Sequence, residues 1–280
     1  MTVEQLKDKY TYDTSRFVEI DELDIHYCDE GEGDVILLIH GTFSSLHSFQ
    51  EWTDLLKGMY RVIRLDLPGF GLTGPHPNHD YNIDFYSEFL NKFLDKLNIK
   101  KCSVAGNSLG GWLSWEFALK YQHRVDSLVL INSAGYIGEG NFPLPFVIAQ
   151  TPVLRNVFSF VPKAVVRRFM RQVFIDQSKV TDDLISRYYD LFHRPGNKET
   201  FVKIANSNFT QNTDKLHQLT IPVLVMWGAQ DNWINVSHSH KFDKELSNSQ
   251  LIIYDNVGHV PMEEIPERTV KDLISFLQEN

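Results

Sequence analysis

Two hydrophobic rhythms share the chain. Residues 35–40 form a continuous apolar run, and comparable runs recur at 60–66, 102–107, 127–132, 222–228 and 250–255. Runs of this kind suit strands covered on both faces, as in a parallel sheet. Two shorter strand-like pieces, 17–20 and 24–28, precede them, and the second alternates apolar and polar positions. Segments of helical period separate the runs, at 48–57, 84–97, 109–121, 236–246 and 264–278. Within 84–97, Phe85, Phe89, Phe93 and Leu97 fall on one stripe, which reads as core packing rather than a cofactor box. Strand, helix, strand repeated in this way predicts an α/β fold. The sheet is expected to be doubly wound, mostly parallel and eight-stranded, with right-handed crossovers.

One stretch breaks the rhythm. Between residues 135 and 217 no convincing buried strand occurs; Pro143, Pro145, Pro152 and Pro162 punctuate it, and 163–174 and 181–192 have helical patterns. Ser178 to Asp183 resembles a helix N-cap region. The expected organisation is a core domain of residues 1–134 and 218–280 with a helical cap, 135–217, inserted after the sixth strand. Such a cap would sit over the sheet's carboxyl edge and shape substrate access. Its phenylalanines (Phe142, Phe146, Phe158, Phe160, Phe169 and Phe174) either line an apolar pocket or pack the cap onto the core.

Composition narrows the partners. Of 280 residues, 42% are hydrophobic and 22% charged, ordinary values for a globular protein. A formal net charge of -9 disfavours nucleic acid and anionic lipid surfaces, leaving a small molecule as the expected partner. Cys28 and Cys102 lie in strand-like contexts and read as buried free thiols. The polar N-terminus shows no signal peptide, and no apolar stretch approaches the ~20 residues of a membrane span. A cytoplasmic enzyme without membrane association is the expectation; nothing in the composition indicates the oligomeric state.

The chemistry begins at Gly106-Asn107-Ser108-Leu109-Gly110, between an apolar strand and a helix. At ~7% usage per residue, a G-x-S-x-G match arises by chance in roughly one chain in ten of this length, so the context carries the weight. A nucleophile on a sharp strand-to-helix turn has strained backbone angles and needs small residues two positions before and after it. Serine also needs a base. His259, in Asn256-Val257-Gly258-His259, follows the last predicted strand and is the candidate. Asp231, just past the strand ending at Trp227, is the candidate acid that would fix the imidazole tautomer. The alternative for Asp231 is a loop aspartate capping the next helix. Asn132 occupies the other position where an acid could stand, and it cannot supply the charge.

After the first buried strand comes His40-Gly41-Thr42-Phe43. The Thr42 and Leu109 backbone amides are the candidate oxyanion hole, aided by the positive end of the helix that begins at Leu109. His40 reads as a structural residue of the loop, and the turn Asp66-Leu67-Pro68-Gly69-Phe70-Gly71 as a support beside the site.

Taken together, His40-Gly41, the Asp66 turn, the Ser108 elbow, Asp231 and Gly258-His259 resemble the α/β-hydrolase superfamily over essentially the whole chain. The cap and the ending Val260-Pro261-Met262-Glu263-Glu264 are similar to capped carboxylesterases and to meta-cleavage-product C–C hydrolases. Haloalkane dehalogenases and epoxide hydrolases carry Asp at the elbow, so Ser108 argues against both. Likeness to the C–C hydrolases lies in Gly106-Asn107-Ser108 and in Phe174-Ile175-Asp176-Gln177-Ser178 leading to Arg187. There the matching arginine contacts the substrate's carboxylate or oxo group; a cap salt bridge is the plainer alternative for Arg187. Two departures favour esters. His40-Gly41-Thr42-Phe43-Ser44-Ser45 replaces a glycine-rich loop, and Val260 stands where that family carries tryptophan.

The resulting expectation is a serine esterase acting on small, largely apolar esters through an acyl-enzyme on Ser108, with no metal and no cofactor. Asn107, Arg187, Phe43 and Val260 are the candidate substrate contacts. C–C hydrolysis of ring-fission products is the alternative. A small-ligand receptor with little turnover is the reading from another class, disfavoured by the complete triad.

Overall fold

A computed structural model describes residues 1–76, 81–136, 143–152, 161–207 and 211–280. Its centre is one eight-stranded sheet in the order β1-β2-β4-β3-β5-β6-β7-β8. The strands are β1 (Ser15–Ile20), β2 (Leu23–Glu30), β3 (Val35–Ile39), β4 (Arg61–Leu65), β5 (Cys102–Asn107), β6 (Val125–Ile131), β7 (Val223–Gly228) and β8 (Ser249–Tyr254). Only the β1–β2 and β2–β4 pairings are antiparallel; β3 to β8 pair in parallel. The expected fold class is the observed one.

Side-chain alternation explains the two layers. Leu37 and Ile39 of β3 enter one buried cluster, with Leu128 and Leu130 of β6 and Val223, Val225 and Trp227 of β7. Their chain neighbours Ile36, Leu38, Val129, Ile131, Leu224 and Met226 enter the cluster on the opposite face. Both faces are covered, so neither set tolerates polar residues, and the strands read as continuous apolar runs. The first cluster is closed by α3 (Ile83–Lys96), α4 (Leu109–Lys120) and α9 (Ser237–Glu245). Phe89 and Phe93 of the α3 stripe are buried there, with Phe85 and Leu97 packed against it. The second is closed by α2 (Gln50–Leu56) and α11 (Pro266–Glu279). Cys28 and Cys102 are buried and free.

Between β6 and β7 the chain forms α5 (Leu144–Gln150), α6 (Lys163–Val173), α7 (Asp182–Phe192) and α8 (Asn197–Ala205). Their buried apolar residues join clusters shared with the rest of the chain. Val166, Met170, Val173 and Tyr188, for example, pack in the same cluster as Ile36 and Met226. Phe142, Phe158 and Phe160 lie outside the described residues.

Two local differences from the sequence reading have clear causes. The helix expected at 264–278 is divided into α10 (Pro261–Glu264) and α11. Ile265 between them has φ -137 and ψ 56, because a residue before proline is pushed out of the helical region. An N-terminal helix, α1 (Val3–Tyr10), went unread. Its capping box, Thr2 with Gln5, supplies the orphaned amides of the first turn.

Parallel registry matters most for function. Ile39 lies opposite Gly106, Asn107 opposite Ile131, and Gly228 opposite Tyr254. The carboxyl ends of β3, β5, β6, β7 and β8 therefore finish in line, and the segments that follow them meet at one rim. In open α/β sheets that rim is where ligands bind.

Candidate active site

Ser108 joins β5 to α4 with φ 55 and ψ -116, a left-handed conformation that serine adopts only under constraint. Such strain costs on the order of 1–3 kcal/mol and persists where surroundings enforce it. Here its N–H donates to Ile131 O at 3.0 Å, and its carbonyl accepts from Trp112 N and Ala134 N. The two flanking glycines are obligatory. A Cβ at Gly106 would overlap Gly110 O, and one at Gly110 would overlap Ile39 O. Because α4 begins at Leu109, the Leu109 N–H has no acceptor within its own helix. Gly41 is so close that its Cβ would stand 3.0 Å from Ser108 Cβ. The 41–44 turn, closed by Ser44 N to Gly41 O and bent by Phe43 at φ 66, thus carries Thr42 beside the elbow.

Asp231 and His259 meet directly. His259 Nδ1 lies 2.7 Å from Asp231 Oδ2, and both residues are buried. Oδ2 also accepts from Asn132 Nδ2 at 2.7 Å, while Oδ1 accepts the Trp233 and Ile234 amides at 2.7 and 3.0 Å. Four donors therefore fix this carboxylate, and His259 Nδ1 must be the protonated nitrogen, leaving Nε2 as the free base. Asn132 Oδ1 in turn accepts Gly228 N. The position that lacked an acid thus supports Asp231. Sequence reasoning set Asn132 aside, and it had no signal for Trp233, whose ring centroid lies 5.6 Å from that of His259.

The serine side of the site is tied to His259 through Asn107. Its Nδ2 donates to Ile131 O at 3.1 Å and to His259 O at 3.0 Å. No hydrogen bond joins Ser108 Oγ to the imidazole. Hydrogen bonds of this kind are often long in ligand-free enzymes and tighten only around substrate.

The supporting loops behave as expected. Buried His40 donates from Nδ1 to Gly41 O and accepts the Leu67 N–H on Nε2, and burial pushes its pKa down. Asp66 accepts the Leu46 and Leu72 amides and pairs with His26 at 2.8 Å. Burial alone would raise its pKa, yet His26 beside it, with His40 and His47 nearby, holds it well below the carboxylate range. His26 Nε2 lies 2.8 Å from Ser15 Oγ, so a second Ser–His–Asp chain joins β1, β2 and the turn after β4.

Above the rim, Phe43 packs against Phe201, Phe192, Phe146 and Trp233. It lines a wholly apolar cavity of about 80 Å³ with residues including Ile148, Phe169, Met170, Tyr188 and Trp233. Of the expected contacts, Phe43 alone is among that cavity's lining residues. Phe174 and Val260 are buried in the second core cluster. Arg187 donates to Glu263 at 2.6 Å, and Tyr188 Oη donates to the other Glu263 oxygen at 2.8 Å. Burial would lower the Arg187 pKa, but Glu263 outweighs it, so the guanidinium stays charged and paired. Among the described residues, no cluster of three or more His, Cys, Asp or Glu side chains could hold a metal ion. No helix among them is long and apolar enough to cross a membrane.

Against known families, the model for the alpha/beta hydrolase fold matches residues 34–266, most of the chain. This chain belongs to the α/β-hydrolase family. The hydrolase is 28% identical over 277 residues to the 2-hydroxy-6-oxononadienedioate/2-hydroxy-6-oxononatrienedioate hydrolase of Cupriavidus pinatubonensis, covering 94% of this chain and 95% of that one. The protein of the same name from Escherichia coli K12 is 29% identical over 262 residues, covering 88% and 89%. Among solved structures, the meta-cleavage product hydrolase CumD of Pseudomonas fluorescens IP01, complexed with acetates, superposes with a TM-score of 0.81. It is 26% identical, with coverage of 94% of this hydrolase and 97% of CumD.

Proposed function

We propose that this α/β hydrolase cleaves a carbon–carbon bond next to a ketone in a ring-fission-type diketone, with Ser108, His259 and Asp231 as its triad. The observation that carries the serine chemistry is the strained Ser108 elbow at the rim where the Asp231–His259 pair converges. Choice of the C–C bond rests on the relatives, two of which are named for hydrolysis of 2-hydroxy-6-oxo-dienedioates. Ser108 Oγ bonds to the ketone carbon as its proton passes to His259 Nε2. The oxyanion is held by the Thr42 and Leu109 amides, each such donor being worth roughly 10²–10³ in turnover. Collapse breaks the C–C bond, and the departing carbanion, delocalised over its conjugated oxo group, takes the proton from His259. Water, deprotonated by the same imidazole, then releases the acyl group from Ser108. Residues 135–217 act as a cap that encloses the apolar part of the substrate against Phe43 and Trp233.

A second reading, hydrolysis of small apolar esters, is favoured by one specific observation. Arg187 is neutralised by Glu263, and the Asn107 amide is spent on backbone carbonyls, so both candidate contacts for a substrate carboxylate are engaged. The two readings share every step except the leaving group, an alkoxide in place of a carbanion.

A panel of p-nitrophenyl esters of rising chain length, assayed beside one ring-fission dienoate, separates them. Turnover of the dienoate well above every ester is the expected result; ester turnover with an inert dienoate would replace it with the second reading. Ser108→Ala should lose at least about 10³-fold in kcat on whichever substrate is used. Undiminished turnover in that variant would remove the serine mechanism altogether.

A further inference from the structure

Glu264 is a buried carboxylate that the proposed chemistry leaves unused. Glu264 lies at the end of α10, five residues after His259, and is 4% exposed. Among the described residues it has no ion-pair partner. Its two oxygens instead accept three main-chain amides: Oε2 takes Gly258 N at 2.8 Å, and Oε1 takes Ile175 N at 2.9 Å and Asp176 N at 2.6 Å. The first donor belongs to the loop that carries His259. The other two belong to the chain leaving α6, in the insertion between β6 and β7. Two further bonds connect the same segments without Glu264. His259 N donates to Val173 O at 2.8 Å, and Asn232 Nδ2, next to Asp231, donates to Gln172 O at 3.1 Å. The fit is tight as well: a Cβ at Gly258 would overlap Val173 O.

A carboxylate buried with three amide donors is a deliberate arrangement, because an isolated ionised group would cost several kcal/mol to desolvate. Charge-assisted bonds to backbone N–H groups are among the strong ones. They fix main chain, which side-chain packing alone does weakly. Asp231 aims the His259 ring by one nitrogen, but the ring can turn usefully only if its backbone is held. Asn107 holds the His259 carbonyl from the serine side. The His259 amide has no acceptor in the sheet domain; its acceptor is Val173 of the insertion.

From this geometry we infer that Glu264 is a positioning residue for His259, clamping residues 172–176 of the insertion onto the catalytic loop so that the insertion itself completes the base. The inference rests on the reading of His259 as the general base. One consequence follows for motion. Any opening over the site must occur at parts of the insertion other than 172–176, since lifting that segment would release the His259 amide.

Glu264→Gln tests it. The amide keeps one acceptor oxygen but turns an NH₂ toward either Gly258 N–H or the Ile175 and Asp176 amides, so donor faces donor. Asp231 is the charged group touching the imidazole, and misalignment of that pair weakens the stabilisation of imidazolium. The expected result is a fall in kcat of about tenfold or more with KM within about threefold, and an acid limb of the kcat/KM–pH profile displaced to lower pH. A residue that merely stabilised the fold would lower Tm while leaving kcat per folded enzyme and the acid limb unchanged, and that outcome overturns the inference. Gly258→Ala, whose Cβ would overlap Val173 O and stand 3.2 Å from Glu264 Oε2, forces the two segments apart while keeping the Glu264 carboxylate, and should reproduce the same kcat loss and pH displacement. Should both variants fail to fold, the wild-type His259 amide decides: strong protection from hydrogen exchange is required, and exchange at a free-loop rate refutes the clamp. If Ser108→Ala retains turnover, the reading of the site falls first; if Ser108→Ala is inactive and Glu264→Gln keeps the wild-type kcat and profile, only the clamp falls.

Discussion

At the scale of single residues, two Ser–His–Asp sets stand out among the described residues, and hydrogen-bond connectivity alone would single out the one at Ser15. Ser15, His26 and Asp66 are joined by two contacts of 2.8 Å, closer to a full relay than Ser108 and His259 are in the free site. What separates them is backbone and surroundings. Ser15 starts an ordinary strand, its Oγ already accepts the Tyr12 N–H, and His26 is completely buried. Ser108 sits at positive φ at the start of a helix, beside a loop with a glycine packed against it. A fluorophosphonate probe should therefore label Ser108 alone, with labelling abolished in Ser108→Ala. Ser15→Ala should keep wild-type kcat within about twofold, read in the same assay; a loss of tenfold or more would mean that the buried chain takes part. The Ser108 motif was legible because its glycines are a steric demand written at fixed spacing. Asn132, Trp233 and Glu264 were not, since each acts on a neighbour distant in the chain and has no pattern of its own.

Among the elements, hydrophobic period carried most of the information. Period-2 burial on both faces made β3, β6 and β7 readable as apolar runs, and the fourfold spacing of α3 marked its buried stripe. Phe93 on that stripe is fully buried, and its truncation to Ala should cost ~3–5 kcal/mol in denaturant unfolding. Turnover per folded molecule should be unaffected, because Phe93 packs against Tyr27 and Phe89 in the α3 layer; a kcat change without a stability change would contradict that. Short elements were harder. α1 and α5 offer only two turns or so of pattern, too little to stand above chance, and they are held by tertiary contacts such as Tyr10 and Lys9 with Asp190 of α7. The break at Ile265 was readable in principle from Pro266, but the helical period of 264–278 masked it.

For the molecule as a whole, a buried histidine couples stability to acid. His47 is buried between the N-terminal segment and the core, where Nε2 donates to Tyr10 O and Nδ1 accepts from Ser45 Oγ. Burial, reinforced by the Arg187 charge, lowers its pKa to about 3. An unfolded histidine titrates near 6.5, so between about pH 6.5 and 3 the unfolded chain binds the proton and the folded chain does not. Stability contributed by this group is complete above pH 6.5 and declines as pH falls, with a limiting slope of about 1.4 kcal/mol per pH unit. Thermal unfolding from pH 7 to 4.5 should show that decline, and His47→Gln should flatten it by about one proton. An unchanged slope would mean that His47 is not the titrating group.

The amino-acid sequence alone determined the α/β class and the eight strands, and it singled out Ser108, His259 and Asp231 as candidates. Each of these is encoded locally, as a period, a capping signal or a glycine spacing that holds whatever the rest of the chain does. Tertiary structure decided everything that depends on two distant segments meeting. It gave Arg187 to Glu263, spent Asn107 on the His259 carbonyl, made Asn132 the support of Asp231 and joined the chain after α6 to the His259 loop through Glu264. The reason is physical: a polar side chain's role is set by which donor or acceptor it meets after burial, and no spacing along the chain specifies that partner.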